Sequence, residues 1–98
     1  MKKFDFSKTK NFYNAVLSLE NVRECEVFFE DIFTMKELQD VSQRFEVAMM
    51  LNEGKSYNEI CEITGASTAT ISRVNRGLMY GDGGYKIVLD KILNSEAN

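Results

Sequence analysis

Residues 56–78, SYNEICEITGASTATISRVNRGL, constrain the fold of this chain more than any other stretch. Ile60, Ile71 and Val74 fall where two short helices meeting at a bend need apolar side chains, and Cys61 is small enough to sit where they approach. Gly65 supplies the residue that takes a positive φ at the end of the first helix. Ser67 or its neighbour then caps the second. These spacings predict a helix-turn-helix, a frame that carries its second helix into a DNA major groove.

The remaining residues read as support for that frame. There is no Pro and no Gly before Gly54, so nothing in the first half strongly interrupts helices. From about Lys10, Phe12, Tyr13, Val16 and Leu17 recur at helical spacing, which predicts a first helix ending near Leu19. Asn21 followed by Glu24 forms a capping pair ahead of the stripe Cys25, Phe28, Phe29, Ile32 and Phe33. Thr34 with Glu37 repeats the arrangement and opens a longer helix carrying Leu38, Val41, Phe45, Ala48, Met49 and Leu51, which Gly54 ends. Ser56 with Glu59 is a third pair, placing a short helix from Tyr57 to Gly65, and the next runs from about Thr68 to Leu78. Residues 81–84, GDGG, make a turn. Tyr85, Val88, Leu89, Ile92 and Leu93 form a last amphipathic helix, and residues 95–98 are expected to fray. The class is all-α with about six helices and no strand signal. At 98 residues the chain is expected to be one domain, with its packed core over 10–94 and the functional motif at 56–78. Phe4 and Phe6 belong to an N-terminal arm that periodicity does not place.

Charge is unevenly distributed. The net charge of −3 argues against nucleic acid as an average. Yet from Glu20 to Glu53 nine acidic residues face Arg23, Lys36 and Arg44 alone, whereas from Ser67 to Lys91 the count is Arg73, Arg76, Lys86 and Lys91 against Asp82 and Asp90. The positive end is the end with the motif. The chain has no His, which removes the commonest general base and the commonest zinc ligand. Cys25 and Cys61 lie in helical patterns without CxxC spacing and are expected to be reduced thiols. What remains for an enzyme is scattered carboxylates and two thiols, so no catalysis and no metal or cofactor is expected. No apolar run approaches a membrane span and no signal core opens the chain, so a cytoplasmic protein is expected.

In the second motif helix, Ile71, Val74 and Leu78 define an inward face, and Thr68, Ala69, Ser72, Arg73 and Arg76 face away. A solvated helix would carry Glu and Lys there. Small outward residues instead suit a helix whose backbone must enter a groove closely. Thr68, Ala69 and Ser72 offer hydroxyls and methyls to base edges or bridging waters, and Arg73 and Arg76 reach phosphates or a guanine. Tyr57 and Asn58 stand at the start of the first motif helix, where they either meet the phosphate backbone or serve only as cap residues.

Residues 37–81, ELQDVSQRFEVAMMLNEGKSYNEICEITGASTATISRVNRGLMYG, resemble the Trp repressor superfamily, and within it the TrpR-like YerC/YecD branch. The segment GASTATISR is the most specific piece, being similar to the turn and recognition helix of Trp repressor. The resemblance implies six helices, an intertwined homodimer, and operator binding through a recognition helix at about 67–78. It carries DNA-contact roles onto Thr68, Ala69, Thr70 and Ser72. Trp repressor holds its amino-acid corepressor between two arginines. One is matched here by Arg73, and the other position falls at Gln43 with Arg44 beside it. A carboxylate clamp needs two well-placed donors, so the effector expected is a small carboxylate meeting Arg73, with Gln43 or Arg44 assisting, rather than tryptophan.

All seven Phe residues precede Gly54, and so short a chain has more apolar surface than one copy readily covers. A homodimer is therefore expected, its helices 1 to 3 and the last helix packing between copies. The expected function is a homodimeric, sequence-specific regulator of transcription, in the sense of a repressor, binding double-stranded DNA. The competing expectation is a protein-interaction module that docks through the acidic face of the second helix, with the helix-turn-helix merely shaping the core.

Overall fold

The computed structural model describes residues 6–97. A 3-10 turn at Phe6–Lys8 leads into six α-helices: α1 (Thr9–Leu17), α2 (Val22–Ile32), α3 (Met35–Asn52), α4 (Tyr57–Thr64), α5 (Thr68–Tyr80) and α6 (Gly84–Ala97). None is long and apolar enough to cross a membrane. The chain divides into two compact units, one ending at Leu38 and one beginning at Gln39. Phe6 stands in the 3-10 turn, 71% exposed; Phe4 lies outside the described residues.

Helices α2 to α5 each start where a side chain satisfies a backbone N–H group that the first turn leaves without a partner, whereas Lys8 ahead of α1 makes no such bond. The Thr34 hydroxyl accepts from Glu37 N at 3.1 Å and the Glu37 carboxylate accepts from Thr34 N at 2.9 Å, a reciprocal box that opens α3. Ser56 and Glu59 repeat it at the start of α4. At α2 the pair works differently. Asn21 accepts from Glu24 N at 2.9 Å, but Asn21 is extended (φ −156°, ψ 171°), and the Glu24 carboxylate takes Glu20 N instead, also at 2.9 Å.

Within the second unit, Val47 and Ala48 of α3, Ile60 of α4, Ala66 of the turn, Ile71 and Val74 of α5 and Leu89 of α6 form the buried cluster. Val47 is fully buried whereas Val41 is 44% exposed, so the buried line of α3 runs through Val47 and Ala48 rather than Val41 and Ala48. The physical reason is composition. Residues 45–51, FEVAMML, are apolar on almost every side and fit several helical phases equally well.

Three ends differ from the periodicity. α1 stops at Leu17, with Ser18 N bonded back to Asn14 O and Ala15 O. α5 continues two residues past Leu78. α6 runs on to Ala97 through the residues expected to fray.

Candidate nucleic-acid interface

The bend of the helix-turn-helix is built from residues 64–67. Gly65 ends α4 at φ 74°, ψ 4°, the left-handed region in which a Cβ is strained, and its N–H bonds to Cys61 O at 2.9 Å. Thr64 ties the corner together: its hydroxyl donates to Ile60 O at 2.7 Å and accepts from Ala66 N at 3.1 Å. Ser67 is extended and accepts from Thr70 N at 3.1 Å, which starts α5. Ala66 is buried at the corner, where a larger side chain would push the two helices apart.

This corner fixes the rotation of α5. Ile71 and Val74 are buried in the core and Leu78 packs against it. Thr68, Ala69, Ser72, Arg73 and Arg76 are all exposed, as their spacing predicts. Thr70 is half-buried and exchanges a 3.1 Å hydrogen bond with the Ser67 hydroxyl, so its side chain belongs to the start of the helix as much as to its surface. Asn58 is exposed at the first turn of α4, while Tyr57 is half-buried against the core. Cys61 is half-buried on the same helix, as its small size suggests.

Beside this face lies a polar cavity of about 200 Å³, lined by Asp40, Gln43 and Arg44 of α3 and Thr70 and Arg73 of α5. The structure thus brings Arg73, Gln43 and Arg44 to one place. It also shows two features that residue spacing did not. The Gln43 amide donates to Thr64 O at 3.1 Å, one of the α4 carbonyls left open at the helix end, so Gln43 braces the corner against α3. Asp40 adds a carboxylate to the cavity wall. Its position one turn before Arg44 is a signal, since residues four apart share a helix face, but nothing local singles it out from Glu37 or Glu46.

Three comparisons bear on this arrangement. Residues 7–93 match the family described as Trp repressor protein. The uncharacterized protein YerC of Bacillus subtilis (strain 168) is 50% identical over 84 residues, covering 86% of this chain and 81% of that protein. Among solved structures, a TrpR-like protein from Eubacterium eligens ATCC 27750 is similar with a TM-score of 0.85 and 50% identity, over 88% of this chain and 89% of the other. A candidate Trp repressor from Staphylococcus aureus follows with a TM-score of 0.83 and 41% identity, over 92% and 95%.

Proposed function

The chain belongs to the Trp repressor family, in its YerC branch, and from that premise we propose that it is a homodimeric regulator of transcription that reads double-stranded DNA with α5. The observation that carries this reading is the surface of α5. Thr68, Ala69, Ser72, Arg73 and Arg76 are exposed together on a helix whose opposite side is locked by Ile71 and Val74. Small side chains let the backbone approach base edges, and the two guanidiniums supply the positive charge that an otherwise acidic chain lacks. Thr68, Ala69 and Ser72 face the bases; Arg73 and Arg76 reach phosphate or a guanine. Asn58 reaches the backbone at the start of α4. Tyr57 contributes chiefly by packing.

Dimerisation is supported by apolar surface with nothing over it. Leu17, Val22, Met35, Ile87 and Leu93 are between 49% and 81% exposed. An open apolar groove of about 480 Å³ is lined by Phe45, Gly77, Tyr85 and Val88, among others. A second copy that covers such surfaces also presents α5 twice, as two half-sites require.

The polar cavity is the place for an effector. Arg73 and Arg44 together offer a carboxylate two cationic partners, while Gln43 holds the wall through Thr64. A thermal-shift panel of amino acids and related small carboxylates checks this: at least one stabilises the protein, and its effect disappears in Arg73→Ala.

The test of DNA reading is a fluorescence-anisotropy titration with duplexes selected from a random pool, at several salt concentrations. Two arginines on each of two copies predict a log–log salt slope of about −2 to −4. Binding that shows neither sequence preference nor weakening with salt contradicts the proposal. On the acidic face of α2, Glu24 is engaged at the helix start, while Glu26, Glu30 and Asp31 are exposed and are the groups a basic partner would meet in the competing reading. If Arg73→Ala combined with Arg76→Ala left the cellular role intact, the interaction-module reading would gain.

A further inference from the structure

The exposed stripe of α5 does not stop at Arg76. Ala69, Arg73, Arg76 and Tyr80 follow at intervals of four, three and four, the spacing that keeps side chains on one face of a helix, and all four are exposed. Tyr80 is 80% exposed, an unusual setting for a large aromatic side chain at the end of a regular helix. Among the described residues its hydroxyl has no hydrogen-bond partner and its ring none of the stacking partners that Phe12, Phe28 and Phe33 have.

Exposed as it is, Tyr80 is held on a rigid element. Gly81 N donates to Gly77 O at 3.0 Å and ends α5 there. A Cβ at Gly81 would collide with the Gly77 carbonyl, so the chain turns away immediately after Tyr80. One turn earlier, Gly77 lies under the Tyr85 ring, which sits 3.4 Å from where a Cβ would stand and packs α6 onto α5. The phenol therefore projects from a fixed backbone with only two side-chain torsions to order, a low entropic cost for a contact.

We infer that Tyr80 donates its phenolic hydroxyl to a phosphate oxygen of the duplex backbone, at the edge of the groove that α5 enters. This rests on the DNA-reading role proposed above. Thr68 and Tyr80 are twelve residues apart, about 18 Å along the helix axis. A major groove is about 12 Å wide. With the first turn of α5 at base edges, Tyr80 lies beyond the groove, over the sugar-phosphate ridge. Its role is then positional: it sets how far α5 advances into the groove and carries no base information.

A neutral donor to a phosphate leaves a signature unlike that of Arg76. It adds affinity on every sequence alike, yet releases no counterion, so the salt slope does not depend on it. The experiment is an anisotropy titration of wild type, Tyr80→Phe and Arg76→Ala on a selected duplex and on a scrambled duplex of equal length, at three salt concentrations. Sedimentation of each variant is followed in parallel. Tyr80→Phe is expected to weaken both duplexes by a similar factor, roughly tenfold, with the preference ratio, the salt slope and the oligomeric state unchanged; Arg76→Ala flattens the slope. Replacing symmetry-related pairs of flanking phosphates, one in each half-site, by methylphosphonate is expected to find one pair at which wild type falls to the level of Tyr80→Phe. If wild type binds and Tyr80→Phe binds equally well, or if the loss alters the preference ratio or follows from dissociation of subunits, the inference is overturned while DNA reading stands. If wild type binds no duplex at all, both fall.

Discussion

The two units of this chain obey the same local rules and reach opposite degrees of burial. Thr34 and Glu37 in the first unit make the same reciprocal box as Ser56 and Glu59 in the second. Yet among the described residues every buried side chain lies between Val47 and Leu89. The first unit instead gathers half-buried rings. Phe12 stacks on Phe28 at 6.1 Å and meets Phe33 edge-on at 6.3 Å, while Phe29 contacts both Phe28 and Phe33 at 5.6 Å. Leu17 and Val22 stay largely in the open. Capping decides where helices begin, and burial decides whether they persist, because short helices gain most of their stability from packing. The second unit has its own core. Among the described residues the first has no buried side chain.

That contrast can be broken most forcefully at Ile60, which is fully buried between α4 and its neighbours. Ile60→Ala is expected to lower unfolding stability by about 3 kcal/mol, measured by urea denaturation, and to leave the subunit association constant of surviving folded protein unchanged. Phe28→Ala should behave in the reverse way. Its ring is half-buried among other rings, so about 2 kcal/mol is expected to appear as weakened association in sedimentation equilibrium. Equal association for Phe28→Ala and wild type would mean that the first unit is not a subunit interface. A smaller effect sharpens the comparison inside the second unit. Gln43→Ala removes the 3.1 Å brace to Thr64 O and is expected to cost about 1 kcal/mol, with faster amide exchange across residues 64–67. The smallest effect belongs to Glu37. Hydrogen bonds from the Thr34 backbone and then the Thr34 hydroxyl hold its carboxyl below the usual range. A depressed folded-state pKa stabilises above the unfolded value and loses that contribution as pH falls through the folded one. The melting temperature of wild type should therefore drop more on acidification from pH 6 to pH 3 than that of Glu37→Gln. Identical pH profiles would show that the box contributes nothing measurable.

What could be read from residues alone follows the same division between local and distant causes. Gly65, Ser67 and the pairs at Thr34 and Ser56 act within four positions of themselves, so their spacing was sufficient to place the helices and the bend. The segment GASTATISR carried the family resemblance that the comparisons bear out. The side of α5 that faces solvent was legible too, because Ile71 and Val74 leave only one way to bury the helix. The phase of α3 was not. Val47 and Val41 are equally apolar, and only the position of Ile60, Ile71 and Leu89 in space decides which of them is covered. Gln43 bonded to Thr64 joins residues twenty-one positions apart, beyond any periodicity. The continuation of α5 to Tyr80 was not legible either, because Gly77 admits the Tyr85 ring of α6, a tertiary contact that no periodicity shows.

In the function proposed for this chain, α5 reads base sequence and is presented twice by a symmetric pair of chains. The most direct measurement is selection of bound duplexes from a random pool, with wild type beside the Arg73→Ala, Arg76→Ala double variant. Wild type is expected to enrich a two-fold symmetric sequence whose half-sites lie about one helical turn apart, and the double variant to enrich it weakly or not at all. A pool that stays unenriched with folded wild-type protein, or the same symmetric sequence recovered equally well by both proteins, would contradict the account.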